Sequence, residues 1–261
     1  MIDKNLILKR IMGIEDKLLV SKILDKAAKA EDIKCRTRSD FFDPHQKSVI
    51  EKAMQGDSDI EYTFNGGYTG AERVVIFFCP DFMFDDDMDL PFKVLQIKPN
   101  TRDTLTHRDY LGSLMALGIK REKIGDILVR ENSCNIIVLD EIADYIKYNL
   151  TKVGNAKVGI EVKEADELQV LEPKIKEINA TVASLRLDSV ASAGFGISRS
   201  KIAEYIKGDK VSLNWEVTDS LTKQVKEDDT ISIRGKGRVV LESIGRTTKK
   251  GRTGVVLKKY I

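Results

Sequence analysis

Between residues 4 and 30 apolar side chains recur at helical spacing, at Leu6, Ile7, Ile11, Ile14, Leu18, Leu19, Ile23 and Leu24, with Gly13 as the single irregularity. This predicts one or two helices. Asp43-Pro44-His45-Gln46 marks a further helix start: an aspartate at the N-cap, proline at the first helical position and glutamine in capping-box position. That helix should run to about Met54. Residues 59–65 and 72–79, the latter containing Arg73-Val-Val-Ile-Phe-Phe-Cys79, are predicted strands joined through Gly66-Gly67-Tyr68-Thr69-Gly70. Residues 1–85 are thus expected to form an N-terminal α/β module.

From Phe92 the pattern becomes strand (Lys93–Lys98), helix (His107–Leu117), two strands (Ile124–Arg130 and Asn135–Leu139), helix (Glu141–Leu150) and strand (Lys157–Val162). The order β-α-β-β-α-β over residues 90–165 is that of the ferredoxin-like split fold, shared with RNA-recognition-motif domains. The aromatic signatures of those domains are missing from its strands, so topology alone does not argue RNA binding here. The expected class is α+β. Residues 165–184 mix acids, Pro173 and lysines and are expected to connect to the next module, ending in an extended stretch.

The C-terminal segment, residues 181–261, carries the most specific spacing. Arg186-Leu187-Asp188 opens a short helix with Leu187, Val190 and Ala191 on one face and Gly194 at its end. Ser198 is a good N-cap for a second helix, Arg199 to Lys207, which buries Ile202, Ala203 and Ile206 and stops at Gly208. Strands follow at Val211–Asn214 and Asp229–Ile233, the second preceded by Val225. Basic loops or hairpin turns, Arg234 to Arg238 and Thr247 to Thr253, flank a further strand, Val239–Ile244.

Charge sharpens this picture. The whole chain is near neutral at +2. Residues 181–261, however, hold sixteen Lys or Arg against nine Asp or Glu, and the last 28 hold nine against Glu242 alone. Such polarisation points to a polyanion, most often nucleic acid. No apolar run approaches the roughly 20 residues that span a bilayer, and Met1-Ile2-Asp3-Lys4 lacks a signal-peptide layout, so a cytoplasmic protein without membrane contact is expected. Cys35, Cys79 and Cys134 are scattered and form no C-x-x-C pair, and His45 and His107 are the sole histidines. Neither a disulfide framework, a metal centre nor a cofactor is implied.

The string R-L-D, a glycine, S-R, I-x-x-G, V-x-x-N and D-x-I-x-I resembles the S4 RNA-binding domain. The resemblance implies that two short helices and a small β-layer present a basic face to structured RNA, with Arg186 and Arg199 at or near phosphates and Ser198, Lys201, Lys207 and Lys210 beside them. Arg234, Lys236, Arg238, Lys249, Lys250 and Arg252 extend that basic surface. One departure stands out: the family follows the strand Asn with Gly, and Trp215 occupies that place here. A competing reading pairs Arg186 and Arg199 with Asp188 or Glu204 on a solvated surface.

Further segments widen the match. Phe42-Asp43-Pro44, Gly66-Gly67-Tyr68 with Ala71-Glu72-Arg73, Leu105 to Gly112, Leu117 to Glu122 and Gly125-Asp126-Ile127 resemble the YlmH family of bacterial S4-domain proteins, and the likeness spans nearly the whole chain. It implies a factor that binds ribosomal RNA and tRNA on the large ribosomal subunit, takes part in rescue of stalled nascent chains, is encoded near cell-division genes and acts without catalysis. A monomer is expected.

Three motifs invite other chemistry. His107-Arg108-Asp109 pairs a histidine with a carboxylate, but adjacent helical residues point about 100° apart and form no dyad. Helix capping by Thr106, with surface or RNA contacts from His107, Arg108, Lys120 and Arg121, is the preferred reading. Asp85-Asp86-Asp87-Met88-Asp89 lacks EF-hand spacing, and Gly66–Gly70 lacks the Gly-Lys-Ser/Thr ending of a P-loop. The alternatives to a binding factor are a pseudouridine-synthase-like enzyme, disfavoured because only 73 residues follow Asp188, and a cell-division adaptor, which would leave the basic face idle.

Overall fold

The computed structural model describes residues 4–11, 13–55, 61–79, 90–100, 104–168, 175–248 and 251–260. The chain divides into two compact units, Met1–Val170 and Leu171–Ile261.

The first unit starts with α1 (Lys4–Lys9) and α2 (Ile14–Ile33), with Gly13 at the N-cap of α2. Helix α2 buries Val20, Ile23, Leu24, Ala27 and Ala30, spaced by three and four residues as one helical face requires. After β1 (Thr37–Arg38), α3 (Pro44–Met54) begins on the anticipated capping box: Asp43 accepts from the Gln46 N–H at 2.9 Å, and Gln46 accepts from the Asp43 N–H at 3.0 Å. Strands β2 (Tyr62–Asn65) and β3 (Val75–Phe78) complete a three-stranded antiparallel sheet of order β1-β3-β2.

Strand β4 (Phe92–Pro99), α4 (His107–Ala116), β5 (Ile124–Val129), β6 (Cys134–Leu139), α5 (Asp140–Asn149), the short β7 (Lys152–Val153) and β8 (Ala156–Glu164) follow, with single 3-10 turns at Arg121–Lys123 and Ala165–Glu167. The sheet order is β5-β6-β4-β8-β7, with every recorded pairing antiparallel. The first four strands are therefore arranged as the split β-α-β pattern demands, and the α+β, ferredoxin-like reading holds. Strands β1 and β7 were missed; each is two residues long, too short for periodicity to register.

One face of this sheet packs Leu95, Ile97, Ile136 and Val138 against Tyr110 and Leu114 of α4 and Ala143 and Ile146 of α5. The opposite face is covered by the chain's own N-terminal segment: Phe92, Val94, Ile137 and Leu139 share a core with Phe41, Val75, Phe77 and Cys79. Phe41 stacks on Phe92 with ring centroids 5.4 Å apart. Gly125 is needed beneath it, because a Cβ there would lie 2.9 Å from the Phe41 ring.

The second unit contains β9 (Ile175–Val182), α6 (Leu187–Phe195), α7 (Arg199–Lys207), β10 (Val211–Leu213), β11 (Glu216–Val217), β12 (Thr230–Ile233), β13 (Gly237–Thr247) and β14 (Thr253–Tyr260). The strands form one antiparallel sheet of order β11-β10-β12-β13-β14-β9. Leu187, Val190, Ala191, Ile202 and Ile206 of the two helices pack on Val211, Ile231, Val239, Leu241, Val255 and Leu257. Two expectations need correction. Helix α6 runs past Gly194 to Phe195 and ends at Gly196, whose φ of 66° supplies the left-handed cap; Gly194 instead lets the helix approach β13, where a Cβ would meet Val239 at 2.7 Å. The expected strand at Val239–Ile244 is part of β13, which pairs with β14 in a long β-hairpin; β14 was not anticipated, and it pairs along β9, the extended end of the 165–184 segment, which is therefore part of this sheet rather than a connection.

Candidate nucleic-acid interface

Helix α6 starts at Leu187, so Arg186 is its N-cap and Asp188 lies in its first turn, where backbone N–H groups favour a negative charge. Asp188 is only 6% exposed. Its carboxylate accepts from the Arg186 Nε at 3.2 Å and, through its other oxygen, from an Arg199 guanidinium nitrogen. A buried carboxylate that binds both guanidinium groups sets their position and leaves a surplus positive charge. Both arginines also reach solvent, with side chains 36% and 51% exposed. The pairing with Asp188 weighed from sequence is therefore real, and it draws Arg186 and Arg199, thirteen positions apart, into one cationic pair.

Ser198 caps α7 by accepting from the Lys201 N–H at 3.3 Å, and so contributes structure first. Lys201 pairs with Glu204 at 2.7 Å, and its ammonium lies 5.8 Å from the Tyr205 ring centre; Lys210 flanks the same ring at 5.9 Å. Lys207 ends α7, and the carbonyl of Lys210 accepts from the Arg234 N–H at 2.9 Å, so Lys207, Lys210 and Arg234 gather beyond the other end of that helix. At about 1.5 Å per residue, the nine residues of α7 set this group roughly 13 Å from the helix start at Arg199. Lys236 lies in the β12–β13 turn with Gly235 and Gly237 at positive φ. Arg238 lies over Tyr260, 4.0 Å from the ring centre, and Arg252 donates to the hydroxyl and carbonyl oxygens of Thr181, tying the hairpin to β9. These last two are joined to the sheet and stand apart from the Arg186–Arg199 pair in sequence and in bonding. Lys249 and Lys250 lie outside the described residues.

In the first unit the motif residues meet around a second buried carboxylate. Asp126 accepts from the Tyr68 hydroxyl at 2.7 Å, the Glu72 N–H at 2.8 Å and the Arg73 N–H at 3.1 Å. The Arg73 guanidinium donates to the carbonyls of Ile124, Phe41 and Arg121. Arg121 donates to the carbonyls of Ile124 and Gly125 at 2.6 and 3.1 Å. Burial, aided by neighbouring Arg73, pushes the Arg121 guanidinium down to about 10. Arg121 thus holds backbone together, while Arg108 and Lys120 lie at the surface. Burial and Arg121 also hold His107 below the usual imidazole range, a shift opposed by Asp126 and Glu72. Thr106 and Asp109 form the anticipated cap: Asp109 accepts from the Thr106 N–H at 2.8 Å.

Among the described residues no group of three or more His, Cys, Asp or Glu is placed to hold a metal ion, and no helix is long and apolar enough to cross a membrane. Asp85 to Asp89 lie outside the described residues. Burial raises the Cys134 thiol to about 12 and also raises that of Cys79, so neither is a ready nucleophile.

Sequence reading overlooked two features. The Tyr260 ring under Arg238 carries no local motif. Trp215, 39% exposed, was noted only as a departure from Gly, although an exposed tryptophan beside a basic motif is itself a signal.

Residues 15–81 match the family model "YlmH, N-terminal", residues 86–167 match "Putative RNA-binding domain in YlmH", and residues 185–231 match "S4 domain". The S4 match stops within β12, so β9, β13 and β14 extend its sheet. The chain is similar to the "Ribosome-associated protein quality control protein P2" of Bacillus subtilis (strain 168), at 33% identity over 222 residues, 85% of this chain and 86% of that protein. The solved structure "Cell division protein ylmH from Streptococcus pneumoniae" shares the fold with a TM-score of 0.53 at 21% identity, over 61% of this chain and 98% of that one. The agreement of three consecutive domains with one extended relative shows that this chain belongs to the YlmH family of S4-domain proteins.

Proposed function

We propose that this protein is a non-enzymatic RNA-binding factor that holds ribosomal RNA and tRNA on the large ribosomal subunit during quality control of stalled nascent chains. The observation that carries the reading is the cationic pair: Arg186 and Arg199, half-exposed and fixed by one buried carboxylate. Guanidinium forks match phosphate geometry, and their prior positioning lowers the ordering cost of binding. The likeness to the Bacillus subtilis quality-control protein supports the ribosomal setting. The covered face of the central sheet supports assigning RNA to the S4 module, because the surface that RNA-recognition motifs use for bases is packed against Phe41, Val75 and Phe77.

The test is the salt dependence of binding to purified subunits. Contacts from Arg186, Arg199 and the Lys207, Lys210 and Arg234 group predict that affinity falls steeply and log-linearly with salt, with a slope near −0.7 to −0.9 per phosphate neutralised. Affinity insensitive to salt would contradict the reading.

A further inference from the structure

The β10–β11 hairpin turns on two residues, Asn214 and Trp215, between the pairs Leu213↔Glu216 and Ser212↔Val217. Both turn residues have positive φ, 51° and 66°. Such a turn matches strand twist but needs a left-handed backbone at both positions, which Asn accepts and Gly suits best at the second. A tryptophan there has no local advantage. Strain of this kind persists where surrounding contacts impose it, and it concentrates at functional positions. Here the imposing contacts are visible: the Asn214 side chain donates to Asp229 at 2.7 Å and accepts from the Thr230 N–H at 2.9 Å, while the Asn214 N–H donates to the Thr230 carbonyl at 2.8 Å. The turn is held independently of Trp215. Its indole is exposed and has no aromatic or cationic ring partner among the described residues.

Hydrogen bonds and an ion pair connect this turn to the arginine pair. Glu216, next to Trp215, pairs with Lys223 at 3.6 Å; the Lys223 carbonyl accepts from the Leu187 N–H at 2.9 Å; and Arg186 bridges Gln224. The tryptophan turn and the start of α6 are thus linked through the Glu216–Lys223 ion pair and the Lys223 backbone. We propose that Trp215 is a stacking platform for an unpaired nucleobase of the RNA whose phosphates lie on Arg186 and Arg199. The inference rests on the RNA-binding reading above and adds base contact to it. A cationic pair bonded through one ion pair and the Lys223 backbone to the turn that carries an exposed indole is a combination that single-stranded nucleic acid can use, with phosphates on the guanidinium groups and a base on the ring.

Trp215 is the sole tryptophan of the chain, so its fluorescence reports this position without labelling. The experiment titrates the full chain with an RNA stem–loop carrying an unpaired loop and with a blunt duplex of equal length, following indole fluorescence and the anisotropy of labelled RNA together. The expected result is saturable quenching by the stem–loop that tracks anisotropy, and binding of the duplex with little quenching. Trp215→Gly should weaken stem–loop binding about tenfold, Trp215→Phe should retain most of it, and the thermal midpoint of Trp215→Gly should be no lower than that of the parent protein, because glycine fits the backbone. Binding that leaves the fluorescence unchanged, or a glycine variant that binds the stem–loop as well as the parent, overturns the stacking role and leaves the arginine reading intact. Failure of the parent protein to bind either RNA overturns both.

Discussion

Replacing Asp188 with asparagine would remove a negative charge from a face proposed to bind polyanions, and electrostatics alone would then tighten binding. The geometry predicts the opposite. The Asp188 carboxylate fixes two guanidinium groups, and a neutral amide accepts fewer and weaker hydrogen bonds and places an N–H₂ against one arginine. Asp188→Asn should weaken binding of RNA to the full chain by about 1–2 kcal/mol through lost ordering of Arg186 and Arg199, measured as the change in Kd at fixed salt. Tighter binding would show that charge outweighs positioning. The R-L-D and S-R strings disclosed these three residues in the sequence, and pairing of both arginines with Asp188 was one of the readings they allowed. Arg121 was misleading: its motif is legible, yet its guanidinium faces carbonyls of its own fold.

At the scale of elements, what could be read locally was read well. The capping box at Asp43 and the N-cap at Ser198 depend on side chains within three residues of a helix start, and both are present. Gly194 shows where local reading stops. Its role depends on Val239, 45 positions away, and no helix-ending rule anticipates that contact. Gly194→Ala should destabilise the second unit by about 1–3 kcal/mol through overpacking, and Val239→Ala in the same chain should recover part of the loss. Denaturant unfolding of both variants and the double variant checks the coupling; strictly additive losses would contradict close helix–strand packing. Strand β13 was anticipated in part, at Val239–Ile244, whereas β14 was not, because only Val255 and Leu257 alternate as buried positions among its glycine and lysines.

Across the whole molecule, charge and sheet faces divide the labour. The acidic remainder of the chain and the basic residues 181–261 cannot be inferred from a net charge of +2, though they are evident once the chain is read by segment. The covered face of the ferredoxin-like sheet was not legible in the same way, because Phe41, Phe77 and Phe92 meet only through tertiary packing. The proposal places the principal RNA contacts in the second unit, where the basic residues gather. The most direct test is co-sedimentation of the full chain with isolated large and small ribosomal subunits, beside the Arg186→Glu/Arg199→Glu double variant, with circular dichroism confirming that the variant is folded. The account predicts selective binding to the large subunit that the double variant loses; binding by the folded variant equal to that of the parent protein, or equal binding of the parent to both subunits, would contradict it.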